Sequence, residues 1–309
     1  MPVSIKHLLG LKGVSHDDIT TILDTADTFH EVLQREVKVV PPLRGKTVVN
    51  FFYENSTRTR LSFEMAEKRL SANPLNFSTS GSSVSKGETL KDTIQNIEAM
   101  KIDMIVVRHQ SAGIPLFLTT CTDAVIINAG DGYNEHPTQA LLDIMTIRQR
   151  LRRLEGLKVT IVGDILHSRV ARSNIWGMKT LGMNVTLCAP STLLPHDHDA
   201  LGCPCTTDVN DALEDADVIM LLRPQLERQQ RGLFPSVREY RSFFGIDAEK
   251  MKRAQKNALI MHPGPINRGV ELASDVADSD NSLILDQVTN GVATRMAVLY
   301  LLGGGDNVQ

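Results

Sequence analysis

Short apolar runs of strand length alternate with stretches of helical periodicity along this chain, and the alternation starts twice. A first helix opens near Ser15, where Asp18 three residues on gives the layout of a capping box with Asp in place of Glu or Gln. Ile19, Ile22, Leu23, Ala26, Phe29, Val32 and Leu33 follow at helical spacing, and Pro41-Pro42 stops the segment. Strand signals at 47–52, 102–107 and 124–127 then alternate with helical signals at 57–71 and 136–153. The pattern restarts with strands at 157–162, 184–188, 217–222 and 258–261, a helix at 168–181 and a closing helix at 288–302. Such alternation predicts parallel, doubly wound sheets. The fold class is α/β, with two doubly wound parallel-sheet domains joined by hinge helices. One domain comprises 1–137 plus 288–309 and the other 138–287, which suits 309 residues at about 150 per domain.

Composition narrows the functional classes. A net charge of −3 gives no bulk drive toward nucleic acid or an anionic membrane. The apolar runs are strand length, far short of the ~20 residues of a membrane span. The N-terminal residues lack the layout of a signal peptide, so the expectation is a cytoplasmic protein. Cys203-Pro-Cys205 has one intervening residue, not the two of zinc or thioredoxin-like motifs, and the four cysteines read as reduced thiols. No metal and no organic cofactor is expected.

Open parallel sheets bind ligands at the carboxyl ends of their strands. After the strand at 47–52 comes Ser56-Thr57-Arg58-Thr59-Arg60, opening a helix. Unpaired N–H groups and the helix dipole favour an anion there, the hydroxyls of Ser56, Thr57 and Thr59 add donors, and Arg58 adds a forked cation. This reads as a phosphate pocket, against the alternative of a plain Ser56 cap with solvated arginines. Arg108 stands just past a strand end and is as much a surface arginine as a ligand by position alone. Arg169 and Arg223 end up on two separate loops after strands. An arginine fork is the proper partner of a carboxylate, so two such loops imply a dicarboxylate. The stretch at 162–169 lacks Gly-x-Gly-x-x-Gly, which counts against a dinucleotide.

Ser56-Thr57-Arg58-Thr59-Arg60 after a strand resembles the carbamoyl-phosphate motif of the aspartate and ornithine carbamoyltransferases. Further stretches match that family in order. Residues 82–89 resemble its mobile loop, which implies that Ser82 and Lys86 reach the active site of a neighbouring subunit. The resemblance makes Arg108 a ligand of carbonyl and phosphate oxygens. His136-Pro137-Thr138-Gln139 is similar to the family signature in which the His donates to the carbamoyl carbonyl and the Gln accepts from its NH₂. The stretch ending in Arg169 and the Arg223-Pro224-Gln225 triplet resemble loops that bind aspartate. His262-Pro263-Gly264-Pro265 stands where ornithine enzymes carry His-Cys-Leu-Pro, with Gly264 where many aspartate enzymes have Leu; Gly264 and Pro265 fall to the carbamoyl group.

The resemblance implies transfer of the carbamoyl group of carbamoyl phosphate to the amine of L-aspartate. The implied catalytic residues are Arg58, Thr59, Lys86, Arg108 and His136. Carbamoyl phosphate falls to these with Ser56, Thr57, Ser82, Gln139, Gly264 and Pro265, and aspartate to Lys86, Arg169, Arg223 and Gln225. The implied assembly is a homotrimer with shared active sites, with regulatory or other chains as an open addition. Transfer to ornithine, and a non-catalytic scaffold, stand as alternatives.

Overall fold

Runs of Val, Ile, Leu and Phe that are apolar on both faces belong in sheets covered on two sides, and the computed structural model arranges them so. It describes residues 3–78, 88–224 and 236–304. The chain divides into two compact units, Met1–Met145 with Thr289–Gln309, and Thr146–Val288.

The first unit contains α1 (His16–Leu33), β1 (Thr47–Phe52), α2 (Thr57–Arg69), β2 (Asn73–Ser78), α3 (Leu90–Ala99), β3 (Met104–His109), α4 (Ile114–Leu118) and β4 (Val125–Asp131). Its parallel sheet has the order β2-β1-β3-β4. The next helix, α5 (Pro137–Leu151), begins in this unit and ends in the second. Val49, Phe51, Ile105 and Val107 of the central strands pack with Ile94 and Ile97 of α3 in one buried cluster. The expected capping at Ser15 is present: its Oγ accepts from Asp18 N–H at 3.0 Å. No strand is read from the sequence at 73–78, because Asn73-Pro74 is a poor strand start. The segment pairs nonetheless as β2, at the sheet edge, where a proline is tolerated.

The second unit contains β5 (Lys158–Val162), α6 (Arg169–Thr180), β6 (Asn184–Cys188), β7 (Cys205–Thr206), α7 (Val209–Leu213), β8 (Val218–Leu221), α8 (Val237–Phe244), α9 (Ala248–Met251), β9 (Leu259–Met261) and α10 (Ser274–Ala277). Its parallel sheet has the order β7-β6-β5-β8-β9. The last helix, α11 (Ile284–Leu302), starts in this unit and returns the chain to the first. No described helix is long and apolar enough to cross a membrane.

These orders fix where ligands can sit. In the first sheet the direction of winding reverses between β1 and β3, in the second between β5 and β8. The crevice outside the carboxyl ends at such a reversal is where open α/β sheets bind ligands.

One buried acid makes stability depend on pH. Glu67 of α2 is fully buried and accepts from Asn50 Nδ2 of β1 at 2.8 Å. Burial pushes its pKa up to about 8, against the pull of the Asn50 hydrogen bond. Between pH 4.5, the ordinary value, and 8 the native chain therefore keeps a proton that the unfolded chain has lost. The stability this proton confers is complete below about pH 4.5 and declines as pH rises through 8, by a few kcal/mol at about 1.4 kcal/mol per unit. Glu67→Gln keeps the shape and removes the titration. Thermal melts at pH 5 and pH 8 are expected to show a smaller loss for Glu67→Gln than for the wild type. Equal losses would show that Glu67 is already ionised at pH 5.

Candidate active site

In the first unit two of the sequence-predicted stretches, Ser56–Arg60 and Arg108, meet at the β1/β3 reversal. Phe52 of β1 is in register with Arg108 of β3, and Tyr53 N–H donates to Arg108 O at 2.9 Å. Arg108 therefore lies beside the loop that leads from β1 into α2. Ser56 holds the N-cap position of α2, but its side chain makes no cap hydrogen bond. The first turn of α2 contains no acidic residue that would neutralise the positive end of the helix from within. Thr57 and Arg58 are exposed, while Thr59 is buried.

Arg108 is almost buried, at 9% exposure. Its Nη1 donates to Ala129 O at 3.2 Å and its Nη2 to Glu54 Oε1 at 3.1 Å. The Glu54 carboxylate thus holds one arm of the fork, two residues before Ser56. An anion arriving at Arg108 competes with that carboxylate.

His136 is set by the turn that follows β4. Asp131 Oδ1 accepts from Glu135 N–H at 3.1 Å and from Asn128 Nδ2 at 2.8 Å, and Asp131 Oδ2 accepts from Gly113 N–H at 2.8 Å. Glu135 in turn accepts from Leu11 N–H at 2.6 Å, which ties the N-terminal segment to the residue beside His136. Gln139, one turn into α5, donates through Nε2 to Asp143 Oδ1 at 2.9 Å. That bond turns the amide so that its Oε1 is the end left to accept from an NH₂ group.

In the second unit the two arginine loops flank the β5/β8 reversal. Leu222 N–H donates to Val162 O at 2.8 Å, so the residue before Arg223 is bound to the end of β5. Gly163, with φ +132°, makes this approach possible: a Cβ there would lie 2.4 Å from Leu222 O. Ser168 Oγ caps α6 by accepting from Ala171 N–H at 3.1 Å, and Arg169 follows as the first helical residue, 7% exposed. Asp164 accepts from His167 N–H at 3.1 Å and lies 2.9 Å from its Nδ1, which stiffens the loop between β5 and Arg169.

The loop after β9 is braced from inside. His262 Nδ1 accepts from Gly264 N–H at 2.8 Å, which places the ring proton on Nε2, 3.2 Å from Glu271 Oε1. Glu271 Oε1 also accepts from Asn267 N–H at 2.6 Å, and His262 N–H donates to Gln287 Oε1 at 3.0 Å. Gly264 has φ +67°, where a Leu would cost roughly 1–2 kcal/mol, so the glycine suits this backbone. Pro265 is exposed. Ser82, Lys86 and Gln225 lie outside the described residues. Among the described residues no group of His, Cys, Asp and Glu is arranged to hold a metal ion.

Comparison with known proteins gives the same reading. The family model described as aspartate/ornithine carbamoyltransferase, carbamoyl-P binding domain, matches residues 6–149. The companion model, Asp/Orn binding domain, matches 155–302. The chain belongs to the aspartate/ornithine carbamoyltransferase family. It is 57% identical to the aspartate carbamoyltransferase catalytic subunit of Gemmatimonas aurantiaca over 97% of this chain and 94% of that protein. It is 54% identical to the catalytic subunit of Syntrophotalea carbinolica over 100% and 99% of the two chains. Among solved structures, ornithine carbamoyltransferase from Pyrococcus furiosus superposes with a TM-score of 0.87 at 30% identity, covering 99% of each chain. The catalytic subunit of M. jannaschii aspartate transcarbamoylase does so at 0.84 and 35%, covering 99% and 100%.

Of these stretches, Ser56–Arg60 and Arg108 lie at the β1/β3 reversal and those of Arg169 and Arg223 follow β5 and β8, while the His136 and His262 stretches follow β4 and β9. Sequence reasoning missed the residues behind them: Glu54 on Arg108, Asp143 on Gln139, and Glu271 on His262. None sits in a motif, and only Glu54, two residues before Ser56, could have been suspected from position.

Proposed function

We propose that the chain catalyses carbamoyl phosphate + L-aspartate → N-carbamoyl-L-aspartate + phosphate, as the catalytic chain of an aspartate carbamoyltransferase, an early step of pyrimidine synthesis. The observation that carries the choice of aspartate is the pair Arg169, which opens α6 after β5, and Arg223, just after the adjacent strand β8. Two guanidinium groups suit two carboxylates, whereas the side-chain amine of ornithine would face a second cation. The names of the curated relatives support the same choice.

In this reading the aspartate amine attacks the carbamoyl carbon, and the tetrahedral oxyanion is met by Thr59, Arg108 and His136. Gln139 Oε1 and the Gly264 carbonyl accept from the carbamoyl NH₂, and Pro265 shapes that loop. The C–O bond to phosphate breaks, and phosphate leaves toward Ser56, Thr57, Arg58 and Thr59 with Lys86. The departing phosphate takes the amine proton, so no side chain need act as base. No electrons change hands, and the chemistry calls for neither metal nor organic cofactor. Ser82 and Lys86 are assigned to the site of a neighbouring copy, and Gln225 to aspartate with Arg223.

The test is a carbamoyl-transfer assay with each amino acid, alongside native mass. Turnover with L-aspartate and little with L-ornithine is expected, together with a native mass about three times 34.1 kDa. Preference for ornithine would overturn the substrate assignment, and a monomer of full activity would overturn the shared site.

A further inference from the structure

The first unit contains a buried cation that the proposed reaction does not use. Arg295 of α11 is 4% exposed. Its Nη1 donates to Ser62 Oγ at 2.9 Å and to Gly291 O at 2.9 Å, and the guanidinium lies 5.1 Å from the centre of the Phe63 ring. Its Nε is buried and has no hydrogen-bond partner among the described residues. Burial draws its pKa down to about 10; the Asp143 charge opposes the drop and the Arg108 charge adds to it. Arg295 therefore remains a cation at neutral pH and feels both Asp143, which holds Gln139, and Arg108.

We propose that Arg295 is a positioning residue for the carbamoyl-phosphate half of the site, a buried positive charge that fixes the turn of α2 behind Arg58 and Thr59 and favours a dianion at its N-terminus. The inference rests on the function proposed above. Three observations carry it. Ser62 and Phe63 stand four residues after Arg58 and Thr59, so on a helix they lie on the same faces one turn along. Arg295 grips both. The chain also gives it room: a Cβ on Gly291 would lie 2.7 Å from Arg295 Nη1. Glycine within a helix costs about 1 kcal/mol against alanine, and here the guanidinium occupies the space. Finally, a guanidinium this deeply buried, with an unmet donor, is expensive to keep. That cost falls when a phosphate dianion binds within reach of its field, since charges interact far more strongly at low dielectric.

The test uses inorganic phosphate as the probe, with transfer kinetics beside it. For Arg295→Met we expect phosphate Kd, measured by calorimetry, and the KM for carbamoyl phosphate to rise together by about 10- to 100-fold. The KM for aspartate at saturating carbamoyl phosphate should change less than about threefold, a split that loss of folded protein would not give. Arg295→Lys should recover most of the phosphate affinity. Gly291→Ala, which leaves the charge but displaces the guanidinium, should weaken phosphate several-fold and covers the case in which Arg295→Met does not fold. Unchanged phosphate affinity in folded Arg295→Met, or in Gly291→Ala where Arg295→Met is insoluble, overturns the proposal. A wild type that binds phosphate but transfers no carbamoyl group refutes the proposed function alone, and phosphate affinity still decides the role of Arg295.

Discussion

Arg108→Ala is expected to lower kcat by about 10³-fold while leaving the fold intact. Loss of one oxyanion donor typically costs about 10²–10³, and Arg108 serves a phosphate oxygen as well as the carbonyl in the proposed reaction. The structure adds a second penalty. Glu54 Oε1 lies 3.1 Å from Arg108 Nη2, at 15% exposure of its side chain. Without the arginine, the Glu54 carboxylate loses that cation and stays beside the phosphate loop, where it repels the substrate. The KM for carbamoyl phosphate should therefore rise along with the fall in kcat. Combining Arg108→Ala with Glu54→Gln should restore part of the KM and none of the kcat. Steady-state kinetics of the two variants, with thermal melts to confirm folding, check this. A single variant with kcat within tenfold of wild type would remove Arg108 from the reacting atoms.

What the sequence makes legible here is local, and what it hides is distant. Ser56-Thr57-Arg58-Thr59-Arg60 can be read because strand, turn and helix start are contiguous, and the rule of strand ends says where the loop must lie. The same rule picks out Arg169 and Arg223 without knowledge of their neighbours. Strand β2 escapes because Asn73-Pro74 opposes pairing in isolation, while the neighbouring strand β1 imposes it. The partners that set each ligand's geometry come from elsewhere in the chain. Glu54 and Arg108 are 54 residues apart, and Arg295 and Ser62 are 233 apart. No periodicity or motif joins such pairs; only the sheet order and the return of α11 to the first unit bring them together. His262 is read as part of a loop motif, yet its buried partner Glu271 follows from the path of the chain after Gly264.

Aspartate and asparagine differ by one carboxylate, and the two arginine loops should read that difference. The wild type is expected to prefer L-aspartate over L-asparagine by at least 10²-fold in kcat/KM, because truncating one member of a hydrogen-bonded charge pair costs about 2–5 kcal/mol. Arg169→Ala and Arg223→Ala should each lower kcat/KM for aspartate by about 10²–10³-fold on the same ground, with the KM for carbamoyl phosphate little changed. The discriminating result is the second substrate. The variant that has lost the arginine facing the side-chain carboxylate should treat aspartate and asparagine alike, since neither then meets a cation there. The variant that has lost the arginine facing the α-carboxylate should be slow with both yet still prefer aspartate. Lysine at either position should rescue poorly, because a point charge cannot make the two parallel bonds that fix the plane of a carboxylate. Gly163 links the pair mechanically, since it lets Leu222 dock on the end of β5. Should both variants keep the full preference for aspartate, the two loops do not read the dicarboxylate, and the choice of aspartate as substrate loses its physical ground.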